Sequence, residues 1–199
     1  MTEDPAVAGD DAPITRLELH AAGLGQHYER LTLAPTTGEW VAAGALLRDS
    51  VAGLLGDTAV DVQQIGSSSV VGLLAKPIVD LAVGVRPDYS FAAIRVLLES
   101  DEWIYGGDAG DSGGQVFLLE VGSRRRVAHL HVVEHDGDQW RRYLLLRDLL
   151  RRSPEACAEY AAEKRRLLAL VGHDREAYTE GTTGIVTALL ARARQPHRE

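Results

Sequence analysis

The chain has 199 residues, of which 45% are apolar and 25% are charged, and its formal net charge is −8. These proportions are those of a globular domain long enough to bury a core, while the negative charge argues against sequence-independent binding to nucleic acid. The single cysteine, Cys157, excludes an internal disulfide and a cysteine-based zinc site. Because no signal-peptide pattern or membrane-length apolar run is present, a cytoplasmic protein without a membrane segment is expected.

The beginning of the chain carries few structural signals. Residues 1–13 are acidic and rich in Ala, Gly and Asp, so they are expected to form a disordered tail. Residues 14–195 are then predicted to form a single domain. Within them, Ile14–Leu33 shows no clear period, and Leu31–Leu33 is interpreted as a strand that leads into a turn.

Hydrophobic periodicity predicts the regular elements of the remaining chain. Strands are predicted where apolar residues alternate or form short β-branched runs: 60–65, 77–85, near 103–105, 116–120 and 126–134. Helices are predicted where apolar residues recur every three to four positions: 39–55, 91–99, 140–151, 154–171 and 175–193. Ser153 and Pro154 suit the N-cap and first turn of the fourth helix. This order predicts a mixed α/β or α+β domain with a C-terminal helical segment.

The most informative stretch is a Gly-Ser turn followed by an apolar strand that carries Asp80. The turn residues, which are candidate phosphate ligands because such turns expose N–H groups and hydroxyls, are Gly66, Ser67, Ser68 and Ser69. A carboxylate among apolar residues is costly unless it is compensated. Asp80 is therefore predicted to bind metal or substrate, the alternative being an aspartate that bonds backbone N–H groups or an arginine. Lys76 could pair with a phosphate or be solvated.

Two histidines and several arginines are further candidates. His129 and His131 lie two apart on a predicted strand, so both rings project from one face. If that strand lies beside the Asp80 strand, three ligands suited to Zn²⁺, Mn²⁺, Fe²⁺ or Ni²⁺ could converge. In the alternative, one histidine bonds a buried partner and the other contacts an anionic ligand. Arg126 is the last residue of a basic cluster that suits such an anion. Arg147 is either a structural partner of Asp148 or faces the candidate binding site.

The segment Gln64–Asp80 resembles the signature of the GrpB family of nucleotidyltransferase-like proteins, which typically reads H-I-G-S-T-S-V-P-G-L-A-A-K-P-I-I-D. The resemblance runs from about Leu31 to Leu190. Its further matches, in chain order, are His129–Val132, Trp140, Leu144–Asp148, Leu150–Arg151, Pro154–Ala156, Tyr160, Lys164 and Asp174–Thr179.

The resemblance implies a nucleotidyltransferase-like mixed β-sheet flanked by helices. In that superfamily the Gly-Ser turn holds nucleotide phosphates, and carboxylates on adjacent strands bind divalent metal for in-line attack on the α-phosphorus. Gly66 and Ser67 match the turn, and Asp80 matches the first carboxylate. The implied cofactor is Mg²⁺ or Mn²⁺, or Zn²⁺ if both His129 and His131 are ligands.

The chain also departs from these patterns. The superfamily's second carboxylate is replaced by Ala82, and the strand expected to carry a third acid carries His129 and His131 instead. Four positions differ from the typical family residues: Gln64, Val71, Ala128 and Thr182. These differences predict a divergent member with an altered substrate.

Three functions remain open from the sequence. The leading hypothesis is an enzyme that transfers a nucleotidyl or related group to a small acceptor, with catalytic residues Asp80 and His131, because imidazole titrates near neutrality. Its rivals are a non-catalytic binding module and a ligase or hydrolase on the same scaffold. The expected partner is a nucleotide or small anionic substrate, with no nucleic acid or membrane, and a homodimer is left open.

Overall fold

A computed structural model describes residues 13–110 and 114–194, so the predicted acidic tail lies almost entirely outside the described residues. The helices are α1 (Arg16–Ala21), α2 (Gly38–Leu55), α3 (Phe91–Ser100), α4 (Asp138–Arg152), α5 (Pro154–Val171) and α6 (Arg175–Ala193). The strands are β1 (Gln26–His27), β2 (Ala34–Pro35), β3 (Asp61–Ile65), β4 (Leu74–Ala75), β5 (Val79–Val85), β6 (Ile104–Asp108), β7 (Gln115–Glu120) and β8 (Arg125–Glu134). No described helix has the length and apolar character needed to cross a membrane.

The central sheet has the strand order β3-β5-β8-β7-β6, and β1 adds to one end of β8. Strands β5 and β8 are parallel, whereas the other pairs in this sheet are antiparallel. The register places Asp80 opposite His129, which brings the two predicted functional strands side by side. The predicted mixed sheet flanked by helices is therefore confirmed.

Each face of the sheet packs against different helices. On one face, alternate residues such as Leu81 and Leu130 pack with α2 and α3 in the main core. On the other face, Ala82 and Val133 pack against Trp140 of α4. Helices α5 and α6 pack against α4 rather than against the middle of the sheet. The face that carries Asp80 is thus only partly covered, and its side chain keeps 30% of its exposure.

Most predicted elements agree with the structure to within a few residues. The α5 boundaries are as predicted because Ser153 caps the helix and Pro154 occupies its first turn. The predicted strand at Leu31–Leu33 is wrong, because Leu31 instead packs into a small cluster with Leu167 and Tyr178. The ambiguous stretch before it contains the short helix α1 and strand β1, and α1 is held by a capping box.

Two glycines of α6 allow the packing of the C-terminal helices to be tested. A Cβ at Gly181 would lie 2.4 Å from Leu167 Cδ2, whereas a Cβ at Gly184 would have nothing within 4 Å. We expect Gly181→Ala to lower the free energy of unfolding by about 1–3 kcal/mol through overpacking. Gly184→Ala should raise it by about 0.5–1 kcal/mol through helix propensity alone. Urea unfolding followed by circular dichroism checks both, and equal effects of the two variants would contradict this packing.

Candidate functional site

Asp80 and His129 form a close pair on the two central parallel strands. His129 Nδ1 lies 3.2 Å from Asp80 Oδ1, and the two side chains are 30% and 22% exposed. Burial raises the pKa of Asp80, but the hydrogen bond and charge of His129, with the charges of His131 and Lys76, outweigh it and lower the pKa below its usual value. The half-buried Asp80 carboxylate is therefore ionised at neutral pH and has a protein partner.

His131 shares the face of His129 but is engaged with helix α4. Its Nδ1 lies 3.2 Å from the Tyr143 hydroxyl, and the two rings are in contact, with centroids 5.3 Å apart. Opposite His131 on β5 stands Ala82, where a second carboxylate would be needed. Asp80, His129 and His131 are not grouped as three metal ligands in the described structure.

The donor set therefore does not fit a metal held by protein ligands alone. Within residues 13–110 and 114–194, no group of three or more His, Cys, Asp or Glu side chains has a suitable arrangement. Asp80 alone fits a different kind of site, in which one carboxylate and the phosphates of a substrate share a Mg²⁺ ion.

The Gly-Ser turn lies against the Asp80 carboxylate. Gly66 has a φ of +68°, and a Cβ at this position would lie 2.8 Å from Asp80 Oδ2. After it, Ser67–Ser69 form one 3₁₀ turn. The backbone of this turn is held from two sides, because the Ser67 carbonyl accepts from Thr36 Oγ1 at 3.2 Å and the Ser69 carbonyl accepts from Arg151.

The four residues of the turn are not equally accessible. Gly66 and Ser67 are half-buried, whereas Ser68 and Ser69 are buried. The Ser69 hydroxyl donates to the Gly66 carbonyl at 2.7 Å and so closes the turn. The structure therefore leaves Gly66 and Ser67 as the members of the predicted phosphate-binding turn that a ligand can approach.

A lysine that the sequence offered only as a match to the family, without a role, contacts this turn. Lys164 of α5 is 4% exposed, and its Nζ donates to Ser67 Oγ at 2.6 Å and to the Leu74 carbonyl at 3.0 Å. Burial lowers the pKa of Lys164 to about 7. Lys164 is spaced four residues after Tyr160 and three before Leu167, so it lies on the buried face of α5. A lysine on the apolar face of a predicted helix is the sequence signal from which its burial could have been predicted.

Lys76 is the second cation beside Asp80. Its Nζ lies 4.7 Å from the centroid of the Tyr178 ring. Burial lowers the pKa of Lys76 to about 8, while the charge of Asp80 opposes this shift. Lys76 therefore interacts electrostatically with the Asp80 carboxylate.

Arg126 joins the same face through an irregularity in strand β8. Leu119 pairs with Ala128, but Glu120 pairs with Arg126, so Val127 is the extra residue of a β-bulge. An unbroken alternation would point Arg126 and His129 to opposite faces, since they are three residues apart. The bulge places Arg126 on the site face, where its charge also lowers the pKa of Lys76.

Arg147 is held in a different environment, between helix α4 and strand β3. Its guanidinium donates to Asp148 and Gln63 at 2.7 Å each and to the Gln64 carbonyl at 3.4 Å, and its side chain is 12% exposed. These contacts match the structural alternative for Arg147, in which it bridges to Asp148. They also support the strand that leads into the Gly-Ser turn.

These residues surround the partly exposed Asp80 side chain, and this region is called the cleft below. The Gly66–Ser67 turn, Lys76, Lys164 and Arg126 supply donors and positive charge around the Asp80–His129 pair. Hydrogen-bond donors with fixed positive charge bind phosphate groups well, and a carboxylate nearby can share a cation with them.

Comparisons with known proteins agree with this architecture. The family model described as "GrpB protein" matches residues 30–192. The glutamate-rich protein GrpB of Alkalihalophilus pseudofirmus is 29% identical over 140 residues, which are 69% of this chain and 80% of that protein. A UPF0157 protein of Streptomyces coelicolor is 33% identical over 144 residues, covering 67% of this chain and 69% of the relative.

A solved structure shows the same fold. The crystal structure of the conserved protein GrpB from Enterococcus faecalis superimposes with a TM-score of 0.68 at 25% identity, covering 82% of this chain and all of the other. The family match extends over strands β2 to β8, the Gly-Ser turn and nearly all of the three C-terminal helices. The chain therefore belongs to the GrpB family.

Proposed function

We propose that this protein binds a nucleotide or another phosphate-bearing small molecule in the cleft and transfers a nucleotidyl or related group to a small acceptor. The observation that supports this proposal is the contact of Lys164 Nζ with Ser67 Oγ at 2.6 Å, beside an ionised Asp80. An ammonium group can only donate hydrogen bonds, so the Ser67 oxygen accepts and its own hydrogen is free to donate to a phosphate oxygen.

Each residue of the cleft has a role in this proposal. Ser67 and Lys76 bind phosphate oxygens, and Gly66 lets the turn approach the Asp80 carboxylate. Asp80 is the residue that would hold Mg²⁺ or Mn²⁺, which would offset phosphate charge and lower the pKa of an attacking hydroxyl. His129 orients the carboxylate through its 3.2 Å contact, and His131 is the candidate general base.

A second candidate function is a binding module without catalysis. It is favoured by one observation, namely that Ala82 faces His131 and the cleft keeps a single carboxylate. Two-metal phosphoryl-transfer sites need carboxylates to hold both ions. A protein that retained the cleft but lost this chemistry would bind its ligand without turnover.

Calorimetric titration of each nucleoside triphosphate, with and without Mg²⁺ or Mn²⁺, tests the proposal on wild-type protein and on Asp80→Asn. We expect one triphosphate to bind in a metal-dependent way, and Asp80→Asn to weaken this binding at least tenfold, or about 1.4 kcal/mol. Asp49→Asn is the control, since it removes an exposed carboxylate from α2.

The metal-free titrations separate the two candidate functions. Without metal, the Asp80 carboxylate repels a phosphate, so a binding module should bind more tightly after Asp80→Asn. Tighter binding in the variant, no metal dependence and no product with any acceptor would favour the module. If no triphosphate binds to the wild-type protein under any condition, the leading proposal is rejected.

A further inference from the structure

Two arginines from distant parts of the chain flank one tyrosine at the edge of the cleft. Arg126 Cζ lies 4.0 Å from the centroid of the Tyr28 ring, and Arg175 Cζ lies 5.6 Å from it. Arg126 belongs to β8, Arg175 begins α6, and Tyr28 directly follows β1. The Tyr28 hydroxyl donates a hydrogen bond to the Glu120 carboxylate. Three separate elements therefore bring two guanidinium groups to the same tyrosine ring.

Neither guanidinium has a carboxylate partner within the described parts of the chain. Arg126 and Arg175 form no ion pair there, whereas Arg124, which also approaches Tyr28, pairs with Glu29. The Nε atoms of Arg126 and Arg175 are both buried without a hydrogen-bond partner. A buried charged donor without a partner is costly, so this pair of side chains has unused binding capacity.

The charges of these groups act on one another and on Lys76. Burial lowers the pKa of Arg175, and the charge of Arg126 lowers it further. Burial likewise lowers the pKa of Lys76, and both arginines add to this shift while Asp80 opposes it. Three mutually repelling cations thus interact with one another near two carboxylates, Asp80 and Glu120, and the Glu120 carboxylate accepts from Tyr28. An anion bound among them would relieve this repulsion.

From this geometry we infer a second anion subsite, formed by Arg126 and Arg175 against Tyr28 and joined to the Ser67 turn by Lys76. This subsite takes the further phosphates of a diphosphate or longer polyphosphate group. The inference rests on the proposed function, because the first phosphate lies at the Ser67 turn. Planar guanidinium groups suit this task, since each can present two parallel donors to phosphate oxygens. The ligand class is therefore a polyphosphate ester rather than a monophosphate.

Calorimetric titrations of inorganic phosphate, pyrophosphate and tripolyphosphate, at constant ionic strength and with a chelator present, test this subsite. Succinate is the control ligand, because it carries two negative charges without phosphate geometry. We expect tripolyphosphate to bind at least tenfold more tightly than phosphate, and succinate to bind no better than phosphate. Arg126→Gln should remove this advantage while changing phosphate affinity less than threefold, since charge-assisted hydrogen bonds are lost only with the longer ligand.

Two further variants guard against a purely structural effect. Arg175 also donates to the His27 carbonyl at 2.6 Å, so Arg175→Lys, which keeps the charge, is used beside Arg126→Gln and should reduce the tripolyphosphate advantage partly. Arg192→Gln, at the other end of α6 in a surface ion pair with Glu159, should change nothing.

The outcomes distinguish the subsite from the proposed function. Equal affinity for phosphate and tripolyphosphate, or equal losses for both in Arg126→Gln, would overturn the subsite and leave the Ser67 site intact. Succinate binding as tight as that of pyrophosphate would overturn the polyphosphate assignment. If neither phosphate nor polyphosphates bind the wild-type protein without metal, the subsite is overturned, whereas the proposed function is decided separately by the triphosphate titrations with Mg²⁺ or Mn²⁺.

Discussion

Lys164→Met is expected to remove most of the rise in the free energy of unfolding that the wild-type protein shows between pH 7 and pH 9. Burial places the pKa of folded Lys164 at about 7, whereas an unfolded lysine titrates near 10.4. In this window the unfolded chain binds a proton that the folded protein lacks, so stability increases as the pH rises. The contribution of Lys164 is about 2 kcal/mol from pH 7 to pH 9.

Urea unfolding of the wild-type protein and Lys164→Met at pH 7, 8 and 9 measures this difference. Lys76, whose pKa burial lowers to about 8, acts with the same sign and leaves a smaller residual rise in the variant. The double variant Lys76→Met/Lys164→Met should remove this remaining rise in stability as well. Parallel stability curves for wild-type protein and Lys164→Met would contradict the burial of a titrating lysine at this position.

The same variant should weaken phosphate binding. Lys164 Nζ contacts Ser67 Oγ at 2.6 Å, and methionine offers no donor to orient the serine hydroxyl. We expect at least a tenfold loss of affinity for inorganic phosphate at pH 7, which corresponds to about 1.4 kcal/mol. An unchanged affinity would mean that Lys164 only joins α5 to the turn.

Gly66→Ala is expected to abolish ligand binding and to destabilise the fold. The positive φ of +68° disfavours any side chain, and the new Cβ would lie 2.8 Å from Asp80 Oδ2. The backbone strain alone costs about 1–3 kcal/mol. The collision adds to it and must move either the turn or the carboxylate, which separates the two halves of the cleft.

Gly72→Ala is the matched control for this substitution. Gly72 also has a positive φ, +82°, but a Cβ there would have nothing within 4 Å. Thermal unfolding and phosphate titration of both variants therefore separate the strain from the collision. Greater destabilisation of Gly66→Ala than of Gly72→Ala, with loss of binding only in Gly66→Ala, would support the contact between the turn and Asp80. Retained binding in Gly66→Ala would show that the turn and Asp80 need not touch.

Local patterns in the chain were sufficient for most of the architecture. Ser153 caps helix α5, and this cap allowed the start of the helix to be predicted because it satisfies a free N–H group there. The apolar runs that became β5 and β8 were equally clear. The stretch before residue 34 was not, because β1 has two residues and depends on its pairing with β8.

Parts of the site also followed from the sequence, while others did not. Asp80, Gly66 and Ser67 stood out because an acid in an apolar strand and a Gly-Ser turn are unusual locally. The meeting of Asp80 with His129 needed the register of two parallel strands 49 residues apart. Arg126 reaches the same face only because of a bulge, which no alternation pattern predicts.

By itself, the sequence determined the kinds of elements, their order and the family signature, since these depend on periodicity, caps and contiguous motifs. Only the tertiary structure decided which side chains meet. Lys164 and Ser67 are 97 residues apart, and Arg175 reaches the His27 carbonyl across 148 residues. Such contacts depend on how α5 and α6 pack against the sheet. For the same reason the cationic character of the cleft emerged only after folding, in a chain whose net charge is −8.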